Sequence, residues 1–202
     1  GGLGGGDVHA NEVYVDSWAT NSFGVGIPNN GTAHNNRIFG TGYHVVGIGW
    51  GNNNEYHHNF IHLHGQGPDF RYPEYGNQES LNAFRQTQYG GSTKNYSNNY
   101  HHDNLIIITG GACNGNDCTQ GRGIQDASDY NISNNVIANN IVKVDMNHDI
   151  TQAAAMVPQG LQDRCGTEYP VYWVNNTIIS NVANVRFGDY YAAGCNHHFI
   201  NN

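Results

Sequence analysis

The stretch His34–Ile38 (HNNRI) returns as His57–Ile61 (HHNFI) and His102–Ile106 (HDNLI). Weaker copies stand at His9–Val13 (HANEV), Ser133–Ile137 (SNNVI), Val174–Ile178 (VNNTI) and Asn196–Ile200 (NHHFI). Each copy closes on a β-branched apolar residue. Two positions before it lie Asn11, Asn36, Asn59, Asn104, Asn135 and Asn176, with His198 in the last copy. Successive closing residues are 25, 23, 45, 31, 41 and 22 positions apart. The shortest steps suit one coil of a β-solenoid, and recurrence on this length scale marks a repeat architecture.

A second apolar column sets the register. Ile48, Ile124 and Phe187 each precede Asn59, Asn135 and His198 by 11 residues, and Ile27, Phe84 and Leu161 fill the same place across loops of differing length. Each coil then carries one strand at this column and another at the Asn motif, and successive coils stack about 4.8 Å apart. On these NNxI coils, from Asn35 to Asn202, the chain resembles the right-handed parallel β-helix superfamily, the pectate-lyase-like solenoids. The resemblance implies an all-β parallel β-helix of six to seven coils with loop insertions. It leaves function open, because that fold hosts lyases, hydrolases, adhesins and fibres.

The expected organisation is one domain over residues 1–202, with insertions near 65–95, 110–121 and 145–159. The first insertion is rich in aromatic residues. The third contains Gln152–Val157 (QAAAMV), the one stretch of helical composition. No capping helix is visible at Gly1–Gly6 or after Phe199, and there is neither an initiator Met nor a signal peptide, so a segment of a longer chain is expected. Charged residues make up 12% and the net charge is −8, which disfavours nucleic acid as a partner. No apolar run is long enough for a membrane span. Cys113 and Cys118 bracket a short loop, and Cys165 and Cys195 fall on neighbouring coils; pairing within each couple would place the protein in an oxidising, extracellular setting.

Three columns bear on chemistry. The Asn column reads as a structural ladder that satisfies the polar groups of a sharp corner. The His column, His9, His34, His57 and His102, reads as stacked neutral imidazoles; a column spreads along the axis where a metal needs converging ligands, so no metal site is expected. Acid should loosen this edge. The third column holds Asp126, Asp163 and Asp189, two residues beyond the second apolar position. Carboxylates on adjacent coils could serve as acid and base, or as nucleophile, in glycoside cleavage. Their bland reading is turn caps or structural calcium ligands. Arg85, Arg122, Arg164 and Arg186 lie near the same strand, yet no lyase or polygalacturonase motif of the superfamily matches residue by residue. Sequons at Asn30, Asn95, Asn131 and Asn175 are candidate glycosylation sites, in about the number expected by chance in so Asn-rich a chain.

Two functions follow as expectations. The first is an extracellular or cell-surface structural solenoid that associates end to end into a filament or layer, without a cofactor. The alternative is a secreted polysaccharide-active hydrolase or lyase using Asp126, Asp163 and Asp189, with carbohydrate as partner and calcium as its candidate ion.

Overall fold

The computed structural model describes residues 3–4, 6–17, 22–27, 29–42, 44–49, 51–66, 79–85, 95–114, 117–126, 131–147, 153–158, 170–185 and 197–202. Among them there is no helix. Three parallel sheets run the length of the stack; six coils each contribute one strand to each in the order A, B, C, and a seventh strand follows in A and in B. Sheet A comprises Leu3–Gly4, Ser22–Gly26, His44–Gly49, Ser80–Arg85, Gln120–Asp126, Ala154–Pro158 and Ala183–Val185. Sheet B comprises Asp7–His9, Thr32–His34, Glu55–His57, Tyr100–His102, Asn135–Ala138, Val171–Val174 and His197–Ile200. Sheet C comprises Glu12–Ser17, Arg37–Gly42, Phe60–Gly65, Leu105–Gly110, Ile141–Met146 and Thr177–Ser180. This is a parallel β-helix. Asn95–Ser97 and Asn131–Ser133 add a short parallel pair, and Cys113–Asn114 with Asp117–Cys118 an antiparallel one.

The interior is built from files of side chains in strict register. Sheet C supplies Val13, Ile38, Ile61, Ile106, Val142 and Ile178. Sheet B supplies Val8, Ala33, Tyr56, His101, Ile137, Trp173 and Phe199. Sheet A supplies Val25, Ile48, Phe84, Ile124, Met156 and Val185. β-Branched residues suit such files, because a stiff side chain packs on its own kind one strand away. In sheet C, burial alternates along Phe60–Gly65, Leu105–Gly110 and Ile141–Met146; Leu105–Gly110 runs exposed, buried, half-buried, buried, half-buried, buried.

The corner between sheets B and C is always two residues long. Its first residue takes the left-handed conformation: Ala10, Asn35, His58, Asp103, Asn139, Asn175 and Asn201 have φ of 53–55°. Asn and Asp tolerate this region better than other non-glycine residues. The second residue is the ladder Asn. The backbone N–H of Asn59 donates to Asn104 Oδ1 (3.0 Å), while its Nδ2 donates to that same oxygen (3.0 Å) and to Ala33 O (2.8 Å). The pattern repeats through Asn11, Asn36, Asn59, Asn104, Asn140, Asn176 and Asn202.

Three sequence expectations change here. Asn135 does not belong to this ladder: Asn140 takes its place, and Asn135 closes a second ladder, Asn54–Asn99–Asn135, at the corner between sheets A and B. Both corners use the same chemistry, with Asn30, Asn53, Asn98 and Asn134 left-handed at the second, so residues 134–142 (NNVIANNIV) hold two matching motifs. His198 does not end the ladder either; Asn202 does, while His198 stacks on Tyr172 in sheet B. Finally, the described part of the alanine-rich stretch contributes a strand, Ala154–Pro158, rather than a helix. Ala154–Pro158 pairs with Gln120–Asp126, and the stacked ladder overrides the weak local preference of three alanines.

Candidate functional site

With the B–C corner fixed at two residues, every change in coil length falls beside sheet A. The long connections are 66–79 and 111–119, which lead into sheet A, and 86–94, 159–170 and 186–196, which leave it. Insertions in a solenoid gather on one face, which is often its binding face. The expected insertion at 65–95 is thus two connections around the strand Ser80–Arg85, and the one at 145–159 gives way to the strand Ala154–Pro158.

Which residues of sheet A face away from the core follows from sterics. A Cβ added to Gly47 would meet Ile61 Cγ2 at 2.9 Å, one on Gly121 would meet Ile108 Cγ2 at 3.0 Å, and one on Gly123 would meet Val142 Cγ1 at 2.4 Å. These positions point into the core. The Tyr56 and Phe84 rings, 6.0 Å apart, place the next residue inward as well. Alternation then turns Ser80, Asn82 and Arg85 outward on one strand, and Gln120, Arg122 and Gln125 outward on the next. They are register partners: Ser80 opposite Gln120, Asn82 opposite Arg122, Arg85 opposite Gln125. Despite facing away from the core, Arg85 is only 8% exposed and Arg122 only 6%, and the other four are buried too. The Asn82 Nδ2 donates to Ser80 Oγ at 3.1 Å. A face of two guanidiniums, three amides and a hydroxyl on adjacent coils is dominated by donors. Guanidinium forks match carboxylate and sulfate oxygens in pairs.

The candidate carboxylates are arranged differently from the expected column. The residue opposite Asp126 on the next coil is Pro158, not Asp163, because Ile124 pairs with Met156 rather than Leu161. The shift arises from reading the alanine-rich strand as an insertion. Asp163 and Asp189 lie outside the described residues, as do Leu161 and Phe187. So do Cys165 and Cys195, whereas Cys113 and Cys118 form a disulfide across the antiparallel pair. Of the sequons, Asn30 and Asn175 are exposed left-handed corner residues, and Asn95 and Asn131 pair in the short parallel ribbon.

No family model, curated protein or solved structure matches this chain.

Sheet B carries the other group of ionisable residues. His9, His34, His57 and His102 stack with ring centroids 4.9, 4.9 and 5.1 Å apart. Carboxylates flank the stack: Asp7 lies 3.3 Å from both His9 and His34, and His102 sits between Glu55 (2.9 Å) and Asp103 (2.7 Å). Burial lowers the pKa of His57, against the opposing pull of Glu55. Among the described residues, Asp7, His9 and His34 form the one group of three potential ligands, with donor atoms all within 4.8 Å of one another. Sequence reasoning missed two buried ionisable groups. His101 is inside the core on Tyr56 (4.5 Å, 14° between planes), and complete burial pushes its pKa down to about 3, with His102 adding to the shift. Glu79, also fully buried, accepts from Thr119 Oγ1 (2.7 Å) and the Gln66 N–H (3.1 Å). A doublet such as His101–His102 gives no hint that its two rings face opposite sides; only the strand register does.

Proposed function

We propose that the chain is an extracellular solenoid of the pectate-lyase-like kind that holds an acidic polysaccharide along the outer face of sheet A. The observation that carries this reading is the meeting of two independent features on one face. All long connections adjoin sheet A in the chain, and the strands of that face carry Arg85 and Arg122 among Asn82, Gln120 and Gln125 on consecutive coils, with only small fractions of the two guanidinium side chains exposed. A chain of net charge −8 that nonetheless concentrates guanidiniums there is suited to a uronate or sulfated glycan, in which anionic groups repeat along an extended polymer. The Cys113–Cys118 disulfide supports an oxidising compartment. Cleavage of the bound polymer is the enzymatic extension of this reading, with Asp126, at the end of the strand carrying Arg122, the first carboxylate to test.

The test is affinity electrophoresis through gels containing uronate polymers, sulfated polymers or neutral glucans, with reducing ends and unsaturated uronates measured in parallel. Retardation by an acidic polymer is expected, weakened about tenfold or more in an Arg85→Gln/Arg122→Gln double variant, the effect of losing at least one charged hydrogen bond. Equal mobility in every gel, or equal retardation of parent and variant, would defeat the proposal.

A second reading, a filament or surface subunit assembled from copies of the chain, draws support from sheet C. Its outer face leaves Tyr14 70% exposed and also exposes Ile179 and the register partners Leu105 and Ile141, large apolar groups of the kind that marks association surfaces. Electron microscopy of the purified chain tests this reading: fibres or sheets support it and dispersed particles oppose it.

A further inference from the structure

We propose that Asp7, His9 and His34 bind one divalent transition-metal ion of the zinc, copper or nickel class on the outer face of sheet B. A column of imidazoles alone spreads along the axis, which is the objection to a metal. Asp7 removes that objection. It lies two residues before His9 on the same strand, with buried Val8 between them, so both side chains project outward. His34 is the register partner of His9 one coil on, and the two rings lie nearly parallel, 12° apart. From this position Asp7 Oδ1 reaches His9 Nδ1 and His34 Nε2, each at 3.3 Å.

That distance is informative. Two ligands on a tetrahedral ion with bonds of about 2.0–2.1 Å sit about 3.3 Å from each other. Two of the three donor–donor edges therefore already have the length they need in the bound state. The third, between the imidazoles, is at most 4.8 Å and closes by moving His9, the more exposed ring. His34 is the anchored one: His57 stacks on its other face at 4.9 Å with parallel planes, and the Asn35 amide lies 2.9 Å from its Nδ1. Either end of that amide can face the ring. With Nε2 on the ion, Nδ1 carries the proton and the Asn35 oxygen accepts it, the usual arrangement behind a metal-bound imidazole. The donor set of two nitrogens and one carboxylate suits zinc, copper or nickel and is a poor match for calcium or magnesium, which prefer oxygen. The fourth position faces solvent, where water completes the shell. The site is on a different face from the arginine pair and stands whether or not that face takes polysaccharide.

The test is calorimetric titration of the metal-free chain with Zn²⁺, followed by electron paramagnetic resonance with Cu²⁺ below one equivalent. One tight ion per chain is expected, uncompeted by excess Ca²⁺, with a copper spectrum carrying two nitrogen ligands. Asp7→Ala and His9→Gln should each weaken Zn²⁺ binding by about tenfold or more. His102→Gln, which removes an imidazole from the far end of the stack, should leave the tight site unchanged. Unaltered affinity in an Asp7→Ala/His9→Gln variant would overturn the assignment, as would a copper spectrum with three or four nitrogens in the unmodified chain.

Discussion

His101 makes the stability of this solenoid depend on pH in a way that can be isolated. The ring is neutral inside the core, stacked on Tyr56 and meeting Phe84 edge-on at 5.0 Å. Its pKa of about 3 in the folded chain lies below the ordinary value of about 6.5 that it recovers on unfolding. The sign follows. Above pH 6.5 the ring is neutral in both states, and its burial carries no ionisation cost. As pH falls from 6.5 toward 3 the unfolded chain takes up a proton that the folded chain refuses, so stability drops by about 1.4 kcal/mol per pH unit. At pH 4.5 the loss reaches about 3 kcal/mol, which for a chain of this size lowers the apparent Tm by roughly 5–10 °C. The assay is thermal unfolding at pH 7 and pH 4.5 for the parent and for His101→Phe, whose ring keeps the stack with Tyr56. All other groups titrate in both proteins and cancel in the difference. The parent should lose more Tm than His101→Phe, by the amount above, and a His101→Gln variant should follow the Phe curve in slope if not in absolute stability. Parallel pH profiles for parent and variants would refute the reasoning.

Other predictions follow from the ladders and the glycine positions. Asn104→Ala removes the acceptor of the Asn59 N–H and Nδ2 and two donors, to Tyr56 O and Asn140 Oδ1, and should destabilise by about 3–5 kcal/mol in urea unfolding; Asn11→Ala, at a part-exposed position, should cost about 1 kcal/mol or less. Gly123→Val places a side chain where a Cβ already meets Ala155 O and Val142 Cγ1 at 2.4 Å, and should cost about 3 kcal/mol or more, whereas Gly6→Ala, with nothing within 4 Å, should stay within about 0.5 kcal/mol by the same measurement. Replacing Cys113 and Cys118 together by Ser should lower stability by about 2 kcal/mol at most and leave the circular dichroism spectrum unchanged, because the bond spans a separation of only 5 residues.

What was legible in the sequence follows the physics of each position. The B–C corner was readable because its two residues are locally constrained, one by a left-handed backbone and the next by a buried amide, so the same letters recur whatever the loops do. It was misread only where the A–B corner makes the same demand within the same nine residues, 134–142. Sheet A was harder. Gly47–Ile48, Ala83–Phe84 and Gly123–Ile124 put two successive residues inward, so simple alternation fails there, and the outward facing of Arg85 and Arg122 could not be counted off. The alanine-rich strand went unseen because alanine marks helices locally, yet here Ala155 stands in the file where Gly47 and Gly123 leave no room for anything larger. The metal-binding geometry needed the placement of Asp7, whose significance depends on a neighbour 27 residues away across the stack.

The same constraint that makes one corner readable decides where the chain can vary. An extra residue at the B–C corner would move a ladder Asn out of line and disrupt its bonds to the coils on both sides, several at once for a buried member such as Asn104. An insertion beside sheet A breaks none of these, which is why steps of 45 and 36 residues coexist with ladder bonds of 2.9–3.1 Å. Loop-closure entropy grows only slowly with length, so such insertions are thermodynamically cheap. Sheet A is thus the one side on which substantial chain can be added without loosening the stack. A polar, arginine-bearing face on that side, and repeating files on the other two, is the division expected when rigid corners hold a scaffold and variable connections build a binding surface on it.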